Sequence, residues 1–288
     1  MASPSSDVTG FLPDPVKGVS TAFAFLFIIS SLLHIWQCSK YKSWAYTWPL
    51  PFTSIIFTAS FICREITAFR PVDNPPLGAI YGLFYTAVFL TSYTLYLCLI
   101  QLLPTQPTIL SFRPVYLFVA ITCFFSLIIT ITPQGAASFF NQDAPDKNIR
   151  SGLALLKSSM LIQLFLNIVF IAIVAFFHHR CSSKGIFQQS GERSTKILTI
   201  TFYIFVAWII VCNLFGTIQI FVPSDSPAWT TEAYWWVFDA TPMLVCTALL
   251  HILPPAKYLQ DICNRYAASA TSPGGQDNDF ELGQKNRC

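Results

Sequence analysis

The chain has 288 residues, of which 53% are hydrophobic and only 11% are charged, and its formal net charge is +3. Because soluble domains carry about 25% charged residues, this composition excludes an ordinary soluble domain and predicts a protein that crosses a membrane several times. The small and scattered positive charge also excludes a nucleic-acid-binding surface, so no nucleic acid is expected as a partner.

The first 17 residues are polar and proline-rich, and they lack the basic segment and cleavage site of a secretory signal, so residues 1–17 are predicted to form a short N-terminal arm. Seven apolar runs follow, each of about 20 residues, which is long enough to cross a bilayer as a helix. The sequence therefore predicts an all-α membrane protein with a seven-helix transmembrane domain at residues 18–260. The predicted spans are 18–37, 50–69, 77–100, 114–133, 152–177, 197–221 and 234–253.

Residues 261–288 are rich in Ala, Ser and Gly with scattered charges, and they are predicted to be a disordered tail. The loops after the odd-numbered spans, together with this tail, carry more Lys and Arg than the opposite loops. Since basic loops stay in the cytoplasm, we expect the N-terminus outside or in a lumen and the C-terminus in the cytoplasm. The plasma membrane and the endoplasmic reticulum both remain open as the location.

The seventh span carries a carboxylate, Asp239, into the hydrocarbon region. A carboxylate there costs several kcal/mol (about 2.5 or more) unless it faces a polar interior or is protonated, which predicts a functional site. Pro242, three residues later, has no N–H for the carbonyl of Phe238 and is expected to kink the helix.

Aromatic residues surround this acid in the sequence. Tyr234 and Trp235 are expected to flank Asp239, and Glu232 is expected to lie two turns away on the same helix face. A carboxyl group packed against aromatic rings favours its neutral form, which can donate a proton. Both a proton-coupled carrier and an acid catalyst would use such a group.

Several other polar side chains, which are unfavourable in the hydrocarbon region, are predicted in the same outer half of the membrane as Asp239. Glu65 lies near the outer end of the second span, and Lys157, Gln163 and Gln219 lie on the fifth and sixth spans. Together with Glu232, Tyr234 and Trp235, these residues form the predicted substrate-binding site. The simpler interpretation, also open, is that Asp239 pairs with Lys157 or Arg64, or caps backbone groups freed by Pro242, and only holds helices together.

Metal and cofactor chemistry is not predicted. The four histidines form no His-x-x-x-His pattern or His/Cys cluster, so neither a metal site nor a cofactor is expected. The sequence also shows neither a Ser/His/Asp pattern nor a phosphate-binding Walker motif.

Three segments of the sequence resemble the fungal lipid-translocating exporter family, which includes aminocholesterol-resistance, sphingoid-base and protoporphyrin transport proteins. The segments are 64–70 (REITAFR), 160–163 (MLIQ) and 232–243 (EAYWWVFDATPM). The resemblance implies a seven-span fold and the transport of a lipid-like molecule. The family's basic and acidic residues near the end of its sixth span are replaced here by Cys212, Gly216 and Gln219, so this chain resembles a divergent member.

Transport or export of a lipid or toxic amphiphile without ATP hydrolysis is therefore the first functional hypothesis. The bilayer and a hydrophobic or lipid-like small molecule are the expected partners. The alternative is an enzyme, a membrane-integral terpene cyclase of a fungal meroterpenoid pathway, in which Asp239 and Glu65 would be the catalytic acids and aromatic rings would stabilise a carbocation. A seven-span receptor or stress-response protein is the third interpretation.

Overall fold

The computed structural model of the protein describes residues 16–69, 76–105, 114–141, 143–188 and 193–270. Seven helices in these ranges are long and apolar enough to cross a membrane, which confirms the predicted all-α fold with seven spans. The spans are α1 (Val19–Lys40), α2 (Pro49–Phe69), α3 (Leu77–Leu102), α4 (Pro114–Phe139), α5 (Asp146–Ser183), α6 (Arg193–Phe221) and α7, which has three segments (Glu232–Trp235, Trp236–Ala240 and Thr241–Ile252); α8 (Pro255–Ala270) follows.

The third span is the centre of the bundle. In its most apolar window 94% of the residues are buried, compared with 22–50% in the windows of the other six spans. Consecutive helices from α1 to α6 pack as neighbours, and α7 packs against both α6 and α1. The helices therefore surround α3, while the outer helices expose apolar side chains to lipid.

The fourth helix does not end at Pro133, where the sequence predicted the end of its span, but continues to Phe139. This last part of α4 is held between α3 and α5 by small residues. A β-carbon on Gly152 of α5 would lie 2.6 Å from the amide nitrogen of Phe139 and 2.8 Å from the carbonyl oxygen of Gly135. The backbones of α4 and α5 thus approach as closely as glycine allows, a common way of packing membrane helices.

The chain after the seventh span forms α8, which includes residues 261–270 that the sequence assigned to the disordered tail. Ala256, Leu259 and Ile262 recur on one face of α8 and are buried, and α8 packs against α6 and α3. This spacing is typical of an amphipathic helix, which the average polarity of the segment concealed. Residues 271–288, the rest of the predicted tail, and residues 1–15 of the predicted arm lie outside the described residues.

We predict that Gly152→Ala lowers the stability of the bundle by about 1–3 kcal/mol, because the added methyl group would contact backbone atoms that cannot rotate away. Thermal unfolding of the purified protein in detergent measures this loss. Ser151→Ala, at the exposed neighbouring position of the same helix, is the control. Equal melting temperatures for the two variants would contradict the close approach of α4 and α5.

Candidate functional site

The start of α1, the end of α2, the start of α3, the end of α6 and the start of α7 meet at one end of the bundle. We call this end the outer end, following the orientation that the loop charges predict. Most of the polar residues that the sequence singled out lie here. Three separate groupings of them can be distinguished by their contacts.

The first grouping is a buried ion pair between α2 and α7. Nη2 of Arg64 lies 2.9 Å from Oε1 of Glu232, and their side chains are 1% and 9% exposed. The guanidinium of Arg64 also lies over two indole rings, 4.2 Å from the centroid of Trp235 and 5.4 Å from that of Trp236. An arginine remains charged at any physiological pH, so the carboxylate and the aromatic faces together compensate a charge that burial would otherwise penalise.

The second grouping joins two carboxylates to the start of α1. The oxygens of Glu65 accept hydrogen bonds from the backbone N–H groups of Gly18 (2.7 Å) and Thr21 (3.2 Å). The second oxygen of Glu232 accepts one from the N–H of Val16 at 3.0 Å. Free N–H groups at a helix start attract negative charge, so these carboxylates fix the first turn of α1 against α2 and α7.

The third grouping is centred on Asp239, which is 1% exposed. Neither of its carboxylate oxygens has a hydrogen-bond partner among the described residues. The interpretation in which Asp239 pairs with Arg64 or Lys157 is therefore wrong: Arg64 pairs with Glu232, and the ammonium of Lys157 lies 4.6 Å over the ring of Phe221.

Asp239 lies in a π-helical segment, Trp236–Ala240, directly before Pro242. The N–H of Thr241 bonds to the carbonyl of Trp236, five residues back, so the helix is wider by one residue at this point. The structure thus has a π segment two residues before Pro242, and the predicted kink at Pro242 stays a prediction. Such single wide turns are found frequently at functional sites.

Two phenols and a thiol lie within electrostatic range of the Asp239 carboxylate. They belong to Tyr81 and Tyr85 of α3 and to Cys212 of α6, and Arg64 and Glu232 also act on Tyr81. Tyr81 therefore interacts electrostatically with both the ion pair and the unpartnered acid. Tyr81 and Tyr85 were not predicted as site residues, although their i, i+4 spacing near the outer end of a span was a usable signal.

A hydrogen bond with Tyr85 connects Gln219 to this acid site. The hydroxyl of Tyr85 donates to Oε1 of Gln219 at 3.1 Å, and Nε2 of Gln219 donates to the carbonyl of Ala228 at 3.0 Å. Trp235 is buried and contacts Phe84 at a centroid distance of 5.2 Å. These contacts give the outer end a densely packed aromatic and polar interior.

Other residues of the predicted binding site lie apart from Asp239. Tyr234 is 42% exposed, with its ring 6.2 Å from that of Phe238, so it faces outward and does not flank the acid from inside. Glu65 points to the start of α1. Gln163 belongs to a separate buried cluster, in which its Nε2 donates to Ser92 at 2.7 Å and to Asn167 at 3.2 Å.

The opposite, inner end of α7 is also bonded to α1. Nε2 of His251 lies 2.8 Å from the hydroxyl of Ser30, and Nε2 of Gln37 donates to the carbonyl of His251 at 3.1 Å. The rings of His34 and His251 lie 4.0 Å apart between centroids. Polar contacts therefore connect α1 to α7 at both ends of the bundle.

Two cavities show where a small molecule or water could fit. A groove of about 470 Å³ lies between α1 and α2 and is lined in part by Glu65. A space of about 10 Å³, close to the volume needed for one water molecule, lies beside His34 at the inner end. Asp239 lines neither of these two cavities.

We predict that Glu232→Gln destabilises the protein by about 3 kcal/mol, because it leaves the buried guanidinium of Arg64 without a countercharge. The double variant Arg64→Leu and Glu232→Leu should recover most of this loss, since no charge is then left buried. Thermal unfolding in detergent measures both effects, and Asp225→Asn, at an exposed position, is the control. A double variant that unfolds at lower temperature than Glu232→Gln would contradict the interpretation.

Comparison with known proteins places this arrangement in a family. The family described as "RTA1 like protein" matches residues 51–262, which extend from α2 into α8. The "Lipid-translocating exporter-like protein RTA1" of the fungus Leptosphaeria maculans is 25% identical over 275 residues, which are 88% of this chain and 52% of that relative. This chain thus spans about half the length of that curated relative, and no solved structure shows a significant match. Since the family match covers most of the described bundle, the chain belongs to the RTA1-like family of multi-span membrane proteins.

Proposed function

We propose that the protein moves a lipid-like amphiphile across or out of the membrane without ATP hydrolysis. The printed name of the fungal relative describes lipid translocation, and this membership supports a lipid-related role for a multi-span protein. The observation that carries the proposal is Asp239, a buried carboxyl group whose two oxygens have no hydrogen-bond partner in the part of the chain that the structure describes.

A buried carboxylate that lacks a partner lowers the stability of a protein by about 2 kcal/mol or more. Asp239 is not needed to hold α2 and α7 together at this end. The ion pair of Arg64 and Glu232 already joins α2 to α7 at this end. Asp239 is therefore available to a partner that arrives during a functional cycle. A proton or the polar headgroup of an amphiphile has the chemistry to be that partner.

The helix that carries Asp239 is also the one best suited to move. Its π segment contains one residue more than a regular turn, so in this proposal the extra residue shifts along the helix. In this proposal, binding at Asp239 changes the rotation of the middle of α7 relative to Tyr81 and Tyr85 on α3. The Arg64–Glu232 pair closes the outer end when the site is empty.

The terpene cyclase remains an alternative, but no described feature favours it over transport. A cyclase needs a closed cavity that places its catalytic acid against a folded prenyl chain. Neither of the two cavities described above is lined by Asp239, and the groove lined by Glu65 lies between α1 and α2. Transport is the function that this geometry supports best.

We predict that Asp239→Asn abolishes translocation while the protein remains folded in the membrane, because asparagine has nearly the same shape but neither binds a proton nor carries a charge at neutral pH. The measurement is the loss of a fluorescent lipid from the inner leaflet of proteoliposomes without ATP. Asp225→Asn is the matched control at an exposed position.

Full activity of Asp239→Asn would refute the role of Asp239. Lipid extracts from cells that express the wild type and Asp239→Asn test the alternative function in parallel. A new cyclic isoprenoid that depends on Asp239 would favour the cyclase. Redistribution of an unmodified lipid would favour transport.

A further inference from the structure

An open groove lies between α1 and α2 at the outer end of the bundle, on a side of the bundle that is expected to face lipid because its side chains are exposed and apolar. Its walls are mostly apolar, and three of their residues have large exposed fractions: Ile62 with 46%, Ile66 with 49% and Phe69 with 60%. Its volume of about 470 Å³ is in the range of small-molecule binding sites. The described residues that line it are Thr21, Ala24, Ile62, Glu65, Ile66 and Phe69.

Glu65 contributes a negative charge to this apolar groove. Each of its oxygens accepts one backbone N–H, from Gly18 or Thr21. A carboxylate has about four acceptor positions, so about two are left for a donor that enters the groove. With 9% of its surface exposed, Glu65 is shielded from bulk water and would interact strongly with a cationic donor.

A positive charge lies beside the same groove. The ammonium of Lys17 is 5.5 Å from the ring centroid of Phe69, which lines the groove, and Lys17 directly precedes Gly18. Lys17 is exposed, and its ammonium has three donors. The groove therefore has an anion in its wall, a cation at its rim and an apolar surface between α1 and α2. A zwitterionic headgroup attached to an acyl chain is complementary to this pattern.

We propose that the groove binds an aminophospholipid that enters sideways from the bilayer. Its ammonium bonds to Glu65, its phosphate bonds to Lys17, and an acyl chain packs along Ile62 and Ile66. The assignment deepens the proposed function and rests on it, since it names the class of lipid that is taken up and the place where it enters.

Binding in this groove also affects the bundle. A lipid ammonium on the free acceptor positions of Glu65 draws negative charge from the same carboxylate and so weakens its hydrogen bonds to the N–H groups of Gly18 and Thr21 at the start of α1. Val16, at the start of this segment, is bonded to Glu232, the partner of Arg64. An occupied groove is thereby connected to the ion pair that closes the outer end.

Photocrosslinking tests the site in the full-length protein reconstituted in nanodiscs. The probe is phosphatidylethanolamine with a photoactivatable acyl chain, and mass spectrometry locates the labelled peptides. Labelling is expected in residues 62–69 and should fall roughly tenfold in Glu65→Gln, the effect of losing one charge-assisted hydrogen bond. Ile66→Trp should reduce labelling similarly by filling the groove, whereas Ile55→Trp, at an exposed position of α2 outside the groove, should not.

A second comparison identifies the headgroup. Lys17→Met should weaken labelling by phosphatidylethanolamine but not by a photoactivatable long-chain alkylamine, which has no phosphate. Equal labelling by phosphatidylcholine, whose ammonium has no N–H to donate, would overturn the proposal. Labelling that is unchanged in both Glu65→Gln and Ile66→Trp would overturn it as well, and would identify the bound molecule as ordinary surrounding lipid.

Translocation measured in the same preparations separates this inference from the proposed function. If the wild type translocates lipid but the groove is not labelled, the site is refuted and transport stands. If the groove is labelled as predicted but no lipid moves, transport is refuted and the binding site stands. If Glu65→Gln fails to fold, Ile66→Trp still allows labelling and translocation to be measured. Residue 66 is half-exposed and its side chain makes no hydrogen bond, so this variant is expected to fold.

Discussion

The buried charge of Arg64 is the constraint on which the outer end of this bundle depends. A guanidinium cannot lose its proton at physiological pH, so its burial near the end of α2 requires a countercharge from a neighbouring helix. Glu232 supplies it and thereby fixes where α7 begins. Trp235 covers the flat face of the guanidinium, and the second oxygen of Glu232 holds Val16. One ion pair thus positions the starts of α1 and α7 against α2.

The three acids of the outer end differ in how their charge is compensated. Glu232 has a cation, and Glu65 has two backbone N–H groups, so both carry permanent structural partners. Asp239 has neither among the described residues, although the phenols of Tyr81 and Tyr85 interact with it electrostatically. The first two acids hold the outer end in the arrangement that the structure describes. A change in the protonation or binding state of the third would break none of these contacts, which is why the proposed function depends on it.

Hydropathy was sufficient to predict the seven spans, because the position of a span depends on one coordinate along the chain. It could not predict which side chains meet, since that depends on the rotation of each helix. Arg64 and Glu65 show this clearly: adjacent residues of a helix point about 100° apart, so one faces α7 and the other faces α1. The end of α4 was predicted too early for a related reason. Close packing at Gly152 extends α4 beyond Pro133, and no average of hydropathy contains that information.

The connections of α7 to α1 restrict how Asp239 can move. At its outer end α7 is held through Glu232 and Val16, and at its inner end through His251, Ser30 and Gln37. A rigid tilt of α7 away from α1 would break the contacts at one end at least. A rotation confined to the π segment breaks neither, because the extra residue of that segment can be passed along the helix while both ends stay in place. The wide turn therefore lies where a change at Asp239 can be accommodated with the fewest lost contacts.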